Sequence, residues 1–313
     1  MYNGALRWGS FLGLRRDCQL PKGEQRMPIR KAVITAAGWG TRFLPAAKSQ
    51  PKEMIPLVDK PVIQYAVEEA VASGIHQIII VTAQGKHAIE DYFDRSFELE
   101  HYLEQKGELK LLDEVRHVSQ MANICYIRQK EQLGLGHAVL TAKDLVGDEP
   151  FAVFLPDDLF HSQVPVMKQM LEIYQRYPGN IIATQHVEEE DIEKYGIIEP
   201  KKLDERVYQV LNLVEKPRPE EAPSRLGITG RYILMPQIFE ALEATPPGKG
   251  QEIQLTDGLR LLLQSQAVYA YEFEGIRYDT GTPLGWLKAT VAMALQHAQL
   301  GPQFKDYLKS IKV

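Results

Sequence analysis

Four short stretches of nearly unbroken apolar sequence, KAVITA (31–36), QIIIVT (77–82), ICYIR (124–128) and FAVFLP (151–156), constrain this chain more than anything else in it. Each is too short for a helix and lacks the in–out alternation of a half-solvated strand, so each reads as a strand covered on both faces. Such strands need helices on either side of the sheet. In PVIQYAVEEAVAS (61–73) Val62, Ala66 and Ala70 lie beside Ile63, Val67 and Val71 in one stripe at helical spacing. Pro61 suits the first turn of that helix and Gly74 its exit. Strand, helix and strand in this order predict a βαβ unit within an α/β fold: a Rossmann-like mixed, mainly parallel sheet flanked by helices.

The stretch 84–118, centred on the acidic DYFDRSFELEHYLEQKGE, reads as a solvated helical insertion. After residue 179 further strands are expected in NIIATQHV, RVYQVLNLVEKP and GITGRYILM, with helices near 236–244 and 252–266 and helical sequence again over 283–310. No repeat or low-complexity linker interrupts this pattern, so 27–313 reads as a single domain with an elaborated C-terminal half. Residues 1–26 lack both strand and helix periodicity and read as a disordered or atypical N-terminal extension.

Of the 313 residues, 44% are hydrophobic and 25% charged, enough apolar material for a large core. The formal net charge of −5 offers no broad basic footprint, so a nucleic-acid partner is not expected and any phosphate must be held by a local site. No apolar run approaches the roughly 18 residues of a membrane span. The two cysteines, Cys18 and Cys125, have neither disulfide-scaffold nor zinc-type spacing, which fits a reducing cytoplasm.

The loop after the first strand, AAGWGTRFLPAAKSQPKEMIPLVDKP (36–61), is the richest in chemistry. Glycines following a strand let successive backbone N–H groups converge on one point, an anion-binding concavity, although a bare GxG also serves as a simple tight turn. Arg42, Lys48 and Lys52 in the same loop point to a highly charged ligand such as a triphosphate. The string is neither GxGxxG nor GxxxxGK[ST].

As a whole it resembles the signature of the sugar-1-phosphate nucleotidyltransferases, GxGTRxxPxxxxxPKxxxPxxxKP, and the similarity continues in the same order from about Arg30 to Lys309. The form PKEM, with Glu53, is more similar to the branch that uses UTP and glucose 1-phosphate than to the thymidylyl branch. The resemblance implies that Ala37, Gly38, Gly40, Thr41 and Glu53 bind nucleotide, and that Arg42 and Lys52 act on the phosphates. In RQKEQLGLGHAV (128–139) it implies that Gln129 pairs with the pyrimidine edge and that Gly134 lets the backbone approach it. An amide offers both donor and acceptor to uracil, though Gln129 alone would pass for a surface residue. His137 is read as structural or polar.

LPDD (155–158) ends a buried strand with two acids at the carboxyl edge of the sheet, where open α/β folds bind ligands; outside that context such a pair also caps turns and helices. The resemblance makes Asp157 a catalytic residue and a Mg²⁺ ligand, joined by Asp279 in RYDTGTPLG. It implies sugar-phosphate contacts from Tyr195 and Gly196 of YGII and from Glu215 and Lys216 of VEKP, while GRYIL (230–234) and QEIQLTDGL (251–259) resemble flanking segments. The chain departs from the common pattern at Trp39, Ala47, Leu133 and Thr280.

The implied activity is transfer of UMP from UTP to glucose 1-phosphate, giving UDP-glucose and pyrophosphate, by a cytoplasmic homo-oligomer. The same chemistry with dTTP or another sugar 1-phosphate stays open, as does a catalytically silent sugar-nucleotide-binding homologue, although Arg42, Lys52, Asp157 and Lys216 argue against silence. A nicotinamide oxidoreductase is disfavoured because a basic, proline-rich loop follows the glycines where a helix should begin.

Overall fold

The structure, a computed structural model, describes residues 27–311; the extension expected at 1–26 lies outside the described residues. Period-two alternation decides how the sheet is buried. Ile34, Ile78, Ile80 and Phe154 point into one apolar cluster with Ile63, Val67, Met167 and Met170. Their neighbours Val33, Ile79, Val81, Phe151 and Val153 point into a second with Val139, Leu242, Leu255 and Leu259. Both faces are thus sealed by helices, as the near-continuous apolar runs require. Each fully buried Ile, Val or Phe contributes about 1.5–3 kcal/mol relative to exposure.

The nine-stranded sheet runs from edge to edge through Asn123–Arg128, Gln77–Thr82, Lys31–Thr35, Phe151–Phe154, Leu226–Leu234, Asn180–His186, Val268–Glu272, Val207–Glu215 and Gly196–Asp204. The first four are parallel to one another, and Val268–Glu272 is parallel to Asn180–His186. Leu226–Leu234 and Val207–Glu215 run against the rest. The sheet is therefore mixed, with most strands pointing one way. Parallel pairing puts the loops after the first four strands on one carboxyl edge.

The helix Val62–Ala72 lays Val62, Ile63, Ala66, Val67 and Ala70 against the sheet. It ends where Gly74 takes a φ of 85° and Ile75 N donates back to the Ala70 carbonyl, the left-handed exit a glycine permits. Residues 84–118 form three helices, His87–Phe93, Phe97–Lys106 and Leu109–Gln120. Their charged faces are tied by the buried Glu100, which accepts from Arg95 and Arg116.

Two expectations shift in detail. The strand expected over 151–156 stops at Phe154, because Pro156 has no N–H for a ladder, and the chain turns at Leu155–Asp158. A separate strand, Asp158–His161, then pairs antiparallel with Ile276–Asp279, Asp158 opposite Asp279. The helical stretch at 283–310 divides into Pro283–Gln296 and Gly301–Ser310.

Candidate active site

The loop after Lys31–Thr35 is shaped by Gly40, which adopts a φ of 69°, the left-handed conformation that disfavours a side chain. A Cβ there would also stand 3.1 Å from Lys52 Cβ and 3.3 Å from Ala47 Cβ. The glycine thus lets the loop fold back on itself and bring Lys52 under its own turn. At Gly38 a Cβ would meet nothing within 4 Å, so the space beside this backbone is open to a ligand. Ala37, Gly38, Gly40, Thr41, Lys52 and Asp157 all line one cavity of about 400 Å³.

At its floor Lys52 Nζ lies 2.6 Å from Asp157 Oδ2. Burial works against both charges, but each outweighs it for the other: Lys52 is held above its ordinary value by Asp157 and Glu53, and Asp157 below its own by Lys52. Glu53 turns both carboxylate oxygens to Lys86 Nζ, at 3.0 and 2.8 Å, and is 2% exposed. Its place is the wall behind Lys52, with its charge already spent on Lys86. Arg42 is exposed at the mouth and reaches the Gly281 carbonyl only at 3.5 Å, leaving its donors available.

Asp157 and Asp279, far apart in sequence, meet because the short two-stranded sheet aligns Asp158 with Asp279 and because Thr280 donates both its N–H and its hydroxyl to the Asp157 carbonyl, at 2.8 Å each. A Cβ on Gly281 would stand 2.9 Å from Asp157 Oδ2 and 3.0 Å from Asp279 Oδ1, so the two carboxylates converge on one small volume. Burial, reinforced by Asp158 and offset by Arg277, raises the Asp279 carboxyl, with Asp157 adding to the repulsion. Two hard oxygen donors in mutual repulsion, at the junction of the two cavities, fit a hard divalent cation. Asp158 borders the same cleft but is engaged by other partners. It is 5% exposed, accepts from Gly230 N at 2.7 Å and pairs with Arg277 at 2.5 Å.

At the other end of this cavity Gln129 is 4% exposed and donates to the Gly134 carbonyl and to His137 Nδ1, at 3.2 and 2.8 Å. His137 therefore steadies Gln129, in keeping with a structural reading. Gly134 has a φ of 97°, and a Cβ on it would sit 2.6 Å from Glu252 Cβ. Close approach of this loop to the segment at 252–254 is sealed by Ile253 N donating to Leu133 O and Gly136 N to Ile253 O.

The expected sugar-phosphate residues gather at the open end of the hairpin formed by Gly196–Asp204 and Val207–Glu215, where Gly196 is opposite Glu215. A Cβ on Gly196 would stand 3.2 Å from Glu215 Oε2 and 3.0 Å from Thr256 Oγ1. Lys216, just past the strand, has a φ of 47° and donates its N–H to Tyr195 O at 3.0 Å. Left-handed backbone at a non-glycine residue is a cost of about 1–3 kcal/mol that concentrates at working positions. Tyr195, Gly196, Glu215 and Lys216 line a second cavity, of about 900 Å³.

The two cavities share Leu135, Leu155, Asp157 and Glu252, so they are lobes of one cleft meeting at Asp157. All the expected site residues lie along it, Asp279 and Arg42 in the larger lobe. Three residues escaped sequence reasoning. Lys86 holds Glu53. Glu252 bridges the lobes, and Arg277 lies between Asp158 and Tyr195, donating to the Tyr195 hydroxyl at 2.8 Å. Arg277 precedes Asp279 by two positions on one strand and so shares its face, a signal that RYD carried.

The sequence profile of the family described as nucleotidyl transferase matches residues 31–296. A UTP–glucose-1-phosphate uridylyltransferase of Staphylococcus epidermidis is 50% identical over 285 residues, covering 91% of this chain and 99% of that protein. Among solved structures, a UDP-glucose pyrophosphorylase complexed with UDP-glucose is 46% identical with a TM-score of 0.79, covering 86% of this chain and all (100%) of that one. A UTP-bound UGPase from Acinetobacter baumannii is 42% identical with a TM-score of 0.85, covering 91% of this chain and 100% of that one. Profile, identity and coverage agree with the resemblance drawn from the loop and its companion motifs, and this chain belongs to the nucleotidyl transferase family.

Proposed function

We propose that this protein transfers UMP from UTP to glucose 1-phosphate, giving UDP-glucose and pyrophosphate. The observation that carries the reading is the two-lobed cleft meeting at Asp157, with the glycine loop and Gln129 on one side and the Glu215–Lys216 strand end on the other. Half-identical relatives bearing this activity's name support it.

In this reading the backbone around Gly38, Gly40 and Thr41 receives the triphosphate, and Gln129 with Gly134 receives the uracil. Tyr195, Gly196 and Glu215 face the hexose, and Lys216 its phosphate. A phosphate oxygen of glucose 1-phosphate, already an anion, attacks the α-phosphorus of UTP; the bond from that phosphorus to the bridging oxygen breaks and pyrophosphate departs. No general base is needed, so the residues supply alignment and charge. Lys52 neutralises the α-phosphate and Arg42 the departing pyrophosphate. A Mg²⁺ held by Asp157 and Asp279 would supply Lewis-acid polarisation of the α-phosphate when bound.

The division of 27–313 into a nucleotide-binding first half and a sugar-binding second half within one domain belongs to the same reading. So do a cytoplasmic location, in keeping with the two cysteines, and a homo-oligomer. The exposed stripe Leu284, Leu287, Val291 and Leu295 on the helix Pro283–Gln296 favours self-association, which light scattering tests. Among the described residues no helix is long and apolar enough to cross a membrane.

Pyrophosphate release with UTP, dTTP, CTP, ATP and GTP against several sugar 1-phosphates tests the activity. The expected result is a maximum in kcat/KM for UTP with glucose 1-phosphate; a larger value for dTTP, or no turnover of any pair, overturns it.

A further inference from the structure

GRYIL (230–234) resembles a segment flanking the sugar pocket, yet within it Tyr232 lines the cleft while Arg231, on the opposite face of the strand, does not. Arg231 is 1% exposed. An arginine is seldom buried so completely unless every donor has a partner.

Its partners define a clamp. Nε and Nη2 donate to Glu69 Oε2 at 3.0 and 2.6 Å. Nη1 donates to the carbonyls of Leu155, at 3.0 Å, and Gly230, at 2.9 Å, and Nη2 donates to that of Asp158 at 3.0 Å. The guanidinium is sandwiched at 4.7 and 4.6 Å from the ring centres of Phe154 and Phe160. Glu69, on the helix Val62–Ala72, uses its other oxygen to accept from Met167 N at 3.0 Å, at the start of the helix Val166–Arg176.

Leu155 and Asp158 are the first and last residues of a turn closed by Asp158 N donating to Leu155 O at 3.2 Å, and Asp157 is its third residue. Arg231 thus grips both ends of the turn that presents Asp157. The neighbouring Gly230 adds its N–H to Asp158 Oδ2 and its carbonyl to Leu155 N. Only a planar fork spans three carbonyls and a carboxylate at once; an ammonium on a flexible stem does not. A buried ion pair adds little net stability over a packed apolar pair, so its physical return here lies in fixed geometry.

We propose that Arg231, anchored by Glu69, is a positioning residue for Asp157: it fixes the Leu155–Asp158 turn so that the Asp157 carboxylate meets Asp279 at the cation position. The proposal rests on the reading that Asp157 holds the metal. Outer-shell partners of metal ligands typically carry about 10–100-fold of metal affinity or activity.

The test compares Arg231→Lys, Glu69→Gln and, as reference, Asp157→Asn. It measures Mn²⁺ binding by electron paramagnetic resonance in the presence of UTP, the kinetic constants with Mg²⁺, and Tm. Arg231→Lys keeps the charge facing Glu69 and loses the fork. It is expected to weaken Mn²⁺ binding and lower kcat by about tenfold or more, with KM for glucose 1-phosphate unchanged. A variant that loses only Tm and binds Mn²⁺ like the parent overturns the proposal. Should Arg231→Lys not fold, Glu69→Gln carries the test: it loosens the anchor without touching the carbonyl contacts, so weaker Mn²⁺ binding supports the clamp and parental binding overturns it. Parental Mn²⁺ binding by Asp157→Asn instead overturns the metal assignment on which the clamp depends.

Discussion

Lys52 Nζ stands 2.6 Å from Asp157 Oδ2, although one side chain leaves the loop after the first strand and the other the turn after the fourth. Parallel pairing of Lys31–Thr35 with Phe151–Phe154 puts both loops on one edge, and the left-handed Gly40 folds the first loop back so that Lys52 meets the acid. Because Asp157 and Glu53 outweigh burial, Lys52 remains an ammonium through neutral pH.

Lys52→Ala should therefore remove the fixed charge proposed to act at the α-phosphorus, where negative charge rearranges in the proposed transfer. Steady-state kinetics are expected to show kcat lower by on the order of 10²-fold, with smaller changes in KM for UTP and glucose 1-phosphate. An unchanged kcat removes Lys52 from the chemistry.

Lys216→Ala bears on the other lobe. Its backbone φ of 47° and its N–H bond to Tyr195 O do not involve the side chain and survive the change, while the ammonium proposed to meet the sugar phosphate is lost. The expected outcome is a raised KM for glucose 1-phosphate with KM for UTP unaffected, since that phosphate is present before the transition state. A selective loss on UTP would overturn the assignment.

Gly281→Ala probes the convergence of the acids. Its Cβ would press 2.9 Å from Asp157 Oδ2 and 3.0 Å from Asp279 Oδ1, so the carboxylates must move apart to admit it. A Mg²⁺ titration should show a higher half-saturating concentration with little change in Tm. A variant that titrates like the parent puts the cation elsewhere.

Glu100 offers a pH test away from the site. Hydrogen bonds from Arg95 and then Arg116 hold its carboxyl down at about 2, against an ordinary 4.5. A carboxylate depressed in the folded state stabilises above its unfolded value, and that contribution fades as pH falls toward the folded one. Between about pH 4.5 and 2 the parent should lose Tm more steeply than Glu100→Gln, which has no such charge to lose. Parallel melting curves would sink this account.

Much of this was legible in the sequence because it depends on local pattern. The runs at 31–36, 77–82 and 151–156 mark strands buried from both sides, whereas ICYIR, read the same way, is the edge strand and has no buried residue, since edge position depends on strand order and not on local pattern; PVIQYAVEEAVAS announces its stripe and both its ends. Gly40, Asp157 and Asp279 stand in motifs that each lie within one loop or one strand end, so the family resemblance reaches them from sequence. What stayed hidden depends on tertiary pairing. FAVFLPDDLF reads as one run, so the break at Pro156 and the second strand, whose register joins Asp157 to Asp279, had no signal of their own. Lys86 has no sequence signal that matches it to Glu53, which lines the nucleotide lobe while its carboxylate pairs with Lys86. Arg231 looked like any strand arginine, since nothing local reveals the fold's two carbonyls and one carboxylate.

The adjacent acids Asp157 and Asp158 separate activity from stability. The turn at Leu155–Asp158 gives them different partners: Asp157 pairs with Lys52, while Asp158, also on the cleft wall, pairs with Arg277 at 2.5 Å with its side chain largely buried. Asp157→Asn keeps the shape of the turn and removes charge only where a cation and Lys52 need it. Activity should fall on the order of 10²-fold while the fold stays intact. Asp158→Asn leaves the Arg277 guanidinium buried beside a neutral amide and weakens the acceptor for Gly230 N. Breaking a buried pair in this way costs about 3–5 kcal/mol, so this variant should show a lowered Tm before any change in Mg²⁺ dependence. Chemical denaturation and a Mg²⁺ titration at saturating UTP and glucose 1-phosphate read the two effects independently. If Asp158→Asn needs more Mg²⁺ and Asp157→Asn titrates like the parent, the metal site is displaced by one residue and the clamp on the turn serves the wrong acid.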